Sequence, residues 1–165
     1  MPGLAPTAEA PLPWLAATAL LALAALLALA VRSDVTQRRI TNRLCLAVAV
    51  LALPWWSGMA PHPAALLLRQ LALAGIVALP LILLFSLRLL GGGDVKLTIA
   101  VALWPAPADL PDMLVATALC GAVLGVVIGL AQRSRAATVP YGVAIAAGTT
   151  IALAPAVRSL AAVLF

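Results

Sequence analysis

The sequence predicts an all-α polytopic membrane protein of about six transmembrane helices joined by short loops. Three observations carry that reading. Hydrophobic residues make up 65% of the 165 residues, and mean hydropathy is +1.17. Charged residues are 9%, against roughly a quarter in soluble domains. Apolar runs recur along the chain, divided by polar or proline-rich stretches, and about 20 apolar residues suffice to cross a ~30 Å hydrocarbon core. Six runs leave no room for a sizeable soluble unit, so residues 1–165 are expected to form one transmembrane domain.

The first span is residues 12–31, uniformly apolar. The segment before it, MPGLAPTAEAPLPW, has no Lys or Arg. A cleavable signal needs a basic start, so this span is read as retained. RSDVTQRRITNR, residues 32–43, is the most polar stretch and is read as a loop. The second span covers 44–56, beginning near Ile40, with Trp55 and Trp56 as its interfacial anchor. SGMAPHP, residues 57–63, is read as a turn built on Gly and Pro. The third span, 64–87, carries Arg69 and Gln70 near its start. The fourth follows three glycines at 95–104, and PAPADLPD after it is a proline-rich loop. The fifth span is 113–131, QRSRAATVP is a loop, and the last span is 141–165. No internal repeat suggests an inverted-repeat transporter.

The net charge of +5 comes from nine arginines and one lysine scattered near the ends of apolar runs. No basic tail exists, so the partner is the lipid bilayer and not nucleic acid. With six spans and both termini external, the cytoplasmic side holds Arg32, Arg38, Arg39, Arg43, Arg88, Lys96, Arg133 and Arg135, and the external side only Arg69 and Arg158. That bias predicts external termini. Cys45 and Cys120 lie within apolar runs and form no CxxC pair, so neither a zinc site nor a disulfide is expected. The one histidine, His62, falls in an external proline loop, and no cluster of ligand-type residues suggests a metal or cofactor.

Glu9, Asp109 and Asp112 fall outside, which leaves Asp34 and Asp94 as the only cytoplasmic acids. Topology returns the chain to the same face between them, so packing can bring them together. Ten residues of span four make about 15 Å of helix, and an acid below the membrane surface needs a partner or a water-filled cavity. Gly91–Gly93 allow positive φ and close approach, and could bend the chain and open peptide groups to an extended substrate. Two blander readings stand beside this one. Asp94 can cap a helix N-terminus, and Asp34 can be a solvated loop acid near arginines. Two carboxylates about 4 Å apart repel by roughly 4 kcal/mol at an effective dielectric of 20. One then stays protonated while the other ionises, as aspartic proteolysis requires. No Ser–His or Cys–His alternative is available.

GGGDVK fits the G-x-G-D-x-K signature of type IV prepilin peptidases at Gly91, Gly93, Asp94 and Lys96. SDVTQRRITNRL resembles that family's first aspartate motif, D-x-x-x-R-[RK]-I-P-N, at Asp34, Arg38, Arg39, Ile40 and Asn42. VPYGVAIAAG, residues 139–148, resembles the segment opening its last span. The resemblance implies a six-span aspartic endopeptidase that removes the leader of a prepilin or pseudopilin at the cytoplasmic face of the bacterial inner membrane. It gives Asp34 and Asp94 the catalytic roles without saying which is the base. Gly91, Gly93 and Lys96 would shape the site, and Arg38, Arg39 and Asn42 would order the first loop or touch substrate. Thr41 stands where the family has proline, so a looser turn is expected there. The family's large zinc-binding cytoplasmic domain is missing, as in the short form associated with tight-adherence (Flp) pili, and N-methylation is not implied.

The rival from another class is a small ion- or proton-coupled transporter using both aspartates as ion-binding groups. Both acids lie towards one face, not along a path through the bilayer, which disfavours it. A presenilin-like protease has too many spans, and a catalytically silent assembly factor remains the third reading.

Overall fold

The computed structural model describes residues 12–60, 63–132 and 139–164. Six helices make up the described chain: α1 (Pro13–Gln37), α2 (Asn42–Met59), α3 (Pro63–Ser86), α4 (Gly92–Val101), α5 (Leu110–Gln132) and α6 (Tyr141–Leu164). Four of them, α1, α3, α5 and α6, are long and apolar enough to cross a membrane. The protein is therefore an all-α polytopic membrane protein. The eighteen residues of α2 extend about 27 Å and the ten of α4 about 15 Å, so α4 cannot cross alone. The segment 1–11, His62 with its proline loop, and the 133–138 loop with Arg133 and Arg135 lie outside the described residues.

Two boundaries differ from the sequence reading for local reasons. Of the polar stretch 32–43 only residues 38–41 form the loop, because α1 continues to Gln37 and α2 begins at Asn42. The Thr36 hydroxyl returns a hydrogen bond to the Arg32 carbonyl at 2.7 Å, which keeps that polar side chain compatible with helix. The helix ends at Arg38, left-handed at φ 53°, whose N–H bonds the Asp34 carbonyl. SGM is likewise helix and not turn, because α2 runs through Pro54 to Met59. Gly58 serves packing instead: a Cβ there would lie 2.6 Å from the Ala16 backbone N and 2.8 Å from the Leu12 carbonyl. Thr41 does not loosen its turn, since it is the N-cap of α2 and accepts the Leu44 N–H at 3.4 Å.

The tryptophans correct another expectation. Trp55 and Trp56 are 1% and 4% exposed, not interfacial. Their indole N–H groups donate to the Trp104 carbonyl at 3.0 Å and the Leu103 carbonyl at 2.8 Å. Trp104 donates to the Val48 carbonyl at 3.0 Å, and buried Gln70 donates to the Leu103 and Pro105 carbonyls. The reason is the short α4. It ends at Val101 inside the bundle, and the irregular segment 103–105 that follows carries carbonyls outside any helix; irregular backbone at that depth is tolerated only when protein covers it. The indoles and one amide form that cover.

Helices α1 and α2 pack together, as do α5 and α6, and α1 also packs on α6. Short α4 sits among α2, α3 and α6. The backbones of α3 and α5 stand apart, with no Cα–Cα approach within 8 Å. Gly121, midway along α5, takes the ring of Tyr141 where a Cβ would sit, so the start of α6 meets the middle of α5.

Candidate active site

The C-terminal ends of α1 and α3 meet the N-terminal ends of α4 and α6 at one end of the bundle. Asp34, on the last turn of α1, is 7% exposed. Its Oδ2 accepts the backbone N–H of Gly142 at 2.8 Å. Gly142 is the second residue of α6, where the N–H groups have no helical partner and the helix dipole is positive. A Cβ on Gly142 would lie 3.0 Å from the same oxygen and 3.2 Å from the Asp34 Cβ, so the absent side chain permits the approach. Sequence reasoning matched this segment but gave Gly142 no role. The only available signal was a glycine one residue inside the start of a span.

Asp94 is the third residue of α4, behind the N-cap Gly91. It takes a backbone hydrogen bond from Gly91, half of a capping box. A Cβ on Gly91 would lie 2.7 Å from Asp94 Oδ2. The cap is therefore real, and Asp94 also faces a cavity. Asp94 lies outside the four membrane-length helices. Burial first, and the charge of Asp34 second, push its carboxyl up to about 6, against the opposing pull of the Gly91 bond.

Asp34 and Asp94 line one cavity of about 630 Å³ together with Arg38, Arg88 and Tyr141. A second cavity, of about 450 Å³, is lined by both acids with Arg38, Arg39, Asn42, Gly91 and Gly93. Lys96 lines neither. Its Nζ donates to Asn42 Oδ1 at 2.9 Å and ties the start of α4 to the start of α2. The Ser33 hydroxyl donates to the Arg39 carbonyl and closes the α1–α2 connection.

The glycines act differently from the expectation. No described glycine has positive φ, and Gly91 is extended at φ −73° and ψ 143°. The left-handed residues are Arg38 at φ 53° and Arg88 at φ 59°. The bend after α3 is made at Arg88, closed by the Leu89 N–H on the Leu84 carbonyl at 2.9 Å. The glycines provide closeness: a Cβ on Gly92 would lie 3.1 Å from the Phe85 ring, and one on Gly93 3.1 Å from the Ile40 Cβ.

A buried carboxylate held by a helix N-terminus, sharing a cavity with a carboxyl of raised pKa, is equipped for general base and general acid chemistry on a polar bond. The model of the type IV leader peptidase family matches residues 21–126. Neither curated proteins nor solved structures give a match. The matched stretch holds Asp34, Asn42, Gly91, Asp94 and Lys96 and stops short of Gly142. Nearly two thirds of the chain thus fits one family model, and this membrane protein belongs to the type IV leader peptidase family.

Proposed function

We propose that the protein is an aspartic endopeptidase that removes the leader of a prepilin or pseudopilin, in which Asp34 is the general base and Asp94 the general acid. One observation carries this reading: acids sixty residues apart in sequence line the same cavity, each bonded to a backbone N–H at a helix N-terminus. The Gly142 N–H at the start of α6 bonds Asp34 Oδ2 and so fixes the orientation of that carboxyl in the cavity. Burial and the neighbouring charge favour the proton on Asp94.

In the reaction, Asp34 takes a proton from water while the water oxygen attacks the scissile carbonyl carbon. Asp94 gives its proton to the carbonyl oxygen, forming a neutral tetrahedral diol. Asp34 then passes its proton to the leaving nitrogen, the C–N bond breaks, and Asp94 recovers a proton from a diol hydroxyl. The leader leaves with a new carboxyl group and the mature chain with a new amine. Gly91 leaves room for the Asp94 carboxylate and Gly93 for Ile40, Lys96 with Asn42 fixes the α4 start, and Arg38 and Arg39 border the cavities. The whole chain acts as one transmembrane peptidase domain in the inner membrane. Both termini lie outside, and the site faces the cytoplasm, where the Lys and Arg bias is strongest. The substrate is a prepilin of the Flp type.

The test is processing of a co-expressed Flp-type prepilin by wild type, Asp34→Asn and Asp94→Asn, read as product size and N-terminal sequence. Wild type trims the leader, and each variant inserts but does not trim. Normal cleavage by either variant refutes the mechanism.

A further inference from the structure

We infer that the open cleft between α3 and α5 receives the apolar membrane helix of the substrate and presents the bond beyond its end to Asp34 and Asp94. This rests on the leader-peptidase reading above. The cleft is a separate cavity of about 420 Å³. Ile76, Pro80 and Leu84 line it from α3, Leu114 and Ala118 from α5, and Thr98 from α4. The lining positions are 76, 77, 80, 81 and 84 on α3 and 114, 117 and 118 on α5, spacings that put each set on one face of its helix. Between Ile76 and Leu84 the α3 stripe runs about 12 Å, roughly two helical turns.

Two observations select the occupant. First, no Cα of α3 comes within 8 Å of one of α5, although both border the same small helix–helix gap beside α4 and α6. Second, the cleft adjoins the cavity of the two acids, because Leu90 and Tyr141 line both. An apolar helix in the cleft would end at those two residues, and its continuation would cross the acids. A helical carbonyl is engaged by its own N–H partner, so the attacked bond must lie in an extended segment past the helix end. The joined cavities match that division, apolar stripes for a helix and then a polar chamber for an unwound segment. An acyl chain or a second copy of this protein would fill the stripes without explaining their continuity with the acids.

The test uses the full-length protein in membranes with a co-expressed full-length prepilin. A benzoylphenylalanine photo-crosslinker is placed at Leu84, Ala118 or Val123 on the Asp94→Asn background, which leaves substrate uncut. Val123 is exposed on α5 and lines neither cavity. Adducts from Leu84 and Ala118 map to the apolar segment of the prepilin and exceed those from Val123 at least tenfold. In the active protein, Ala118→Trp raises KM for full-length prepilin at least tenfold with kcat within twofold, while Val123→Trp changes neither. Adducts only with phospholipid or with a second copy of the chain overturn the inference. So does an unchanged KM for Ala118→Trp in a preparation whose wild type cleaves. A wild type that cleaves no prepilin overturns the leader-peptidase reading itself, and that outcome is distinct from the others.

Discussion

Raising the pH from 5 to 7 should lower kcat/KM about tenfold. The perturbation acts on Asp94, whose carboxyl is raised from 3.8 to about 6 by burial and then by the charge of Asp34. At pH 5 about ten molecules hold the Asp94 proton for each that has lost it, and at pH 7 the ratio is inverted. The general acid is thus titrated away across this interval. An unperturbed carboxyl would already be ionised at pH 5. The same shift has a stability consequence of defined sign. Between about pH 4 and pH 6 the folded protein binds a proton that the unfolded chain releases, so the contribution of Asp94 to stability falls as pH rises through that window and is level above it. Asp34→Asn removes the neighbouring charge and moves the Asp94 titration down, while burial keeps it above 3.8. The rate assay is cleavage of prepilin by the protein in lipid discs across pH. The carboxyl itself is followed by infrared absorption with labelled aspartate, in wild type and in Asp34→Asn. A flat rate between pH 5 and 7, or an Asp94 titration unmoved by Asp34→Asn, refutes the reasoning.

Gly142→Val should cut kcat more than tenfold with KM little changed, because even a Cβ there lies 3.0 Å from the oxygen of Asp34 and must displace it; an unaltered kcat would dismiss the role of α6. Trp56→Phe should lower stability by about 1–3 kcal/mol, the usual cost of stranding a buried acceptor, because the Leu103 carbonyl keeps only Gln70 at 3.4 Å. Thermal unfolding in detergent measures it, with exposed Trp14→Phe as the silent control. Lys96→Met should cost about 1 kcal/mol and slow processing less than tenfold, since the lysine ties α4 to Asn42 and does not border the cavities; complete loss of cleavage would mean that it touches the reacting groups.

Much of the architecture was legible because membrane insertion is written in local composition. The start of α6 and both ends of α3 fall within a residue of the apolar runs that predict them. The polar stretch at 32–43 misled for a physical reason. Hydropathy reports where a chain prefers lipid, whereas helix continuation depends on backbone hydrogen bonds, and α1 keeps these through five polar residues and Val35 beyond the apolar run. The glycine motif was found at the right place with the wrong geometry. A sequence shows that Cβ is absent, but the folded neighbours decide whether that absence serves positive φ or a close contact, and here Ile40, Phe85 and the Asp94 carboxylate occupy the space.

By itself the sequence determined the membrane class, the helical order, and the confinement of Asp34 and Asp94 to chain positions that topology returns to one end of the bundle. These follow from apolar run length and from the alternation of helix direction, which need no knowledge of who packs against whom. Only the tertiary structure decided that Asp34 meets the N–H of Gly142, 108 residues away, that the two tryptophans cover the end of α4 instead of anchoring in the interface, and that α3 and α5 stand apart. Those outcomes depend on which helix ends come to the same depth, and the segment 103–105 after the short α4 presents inside the bundle the carbonyls that Trp55, Trp56 and Gln70 bond.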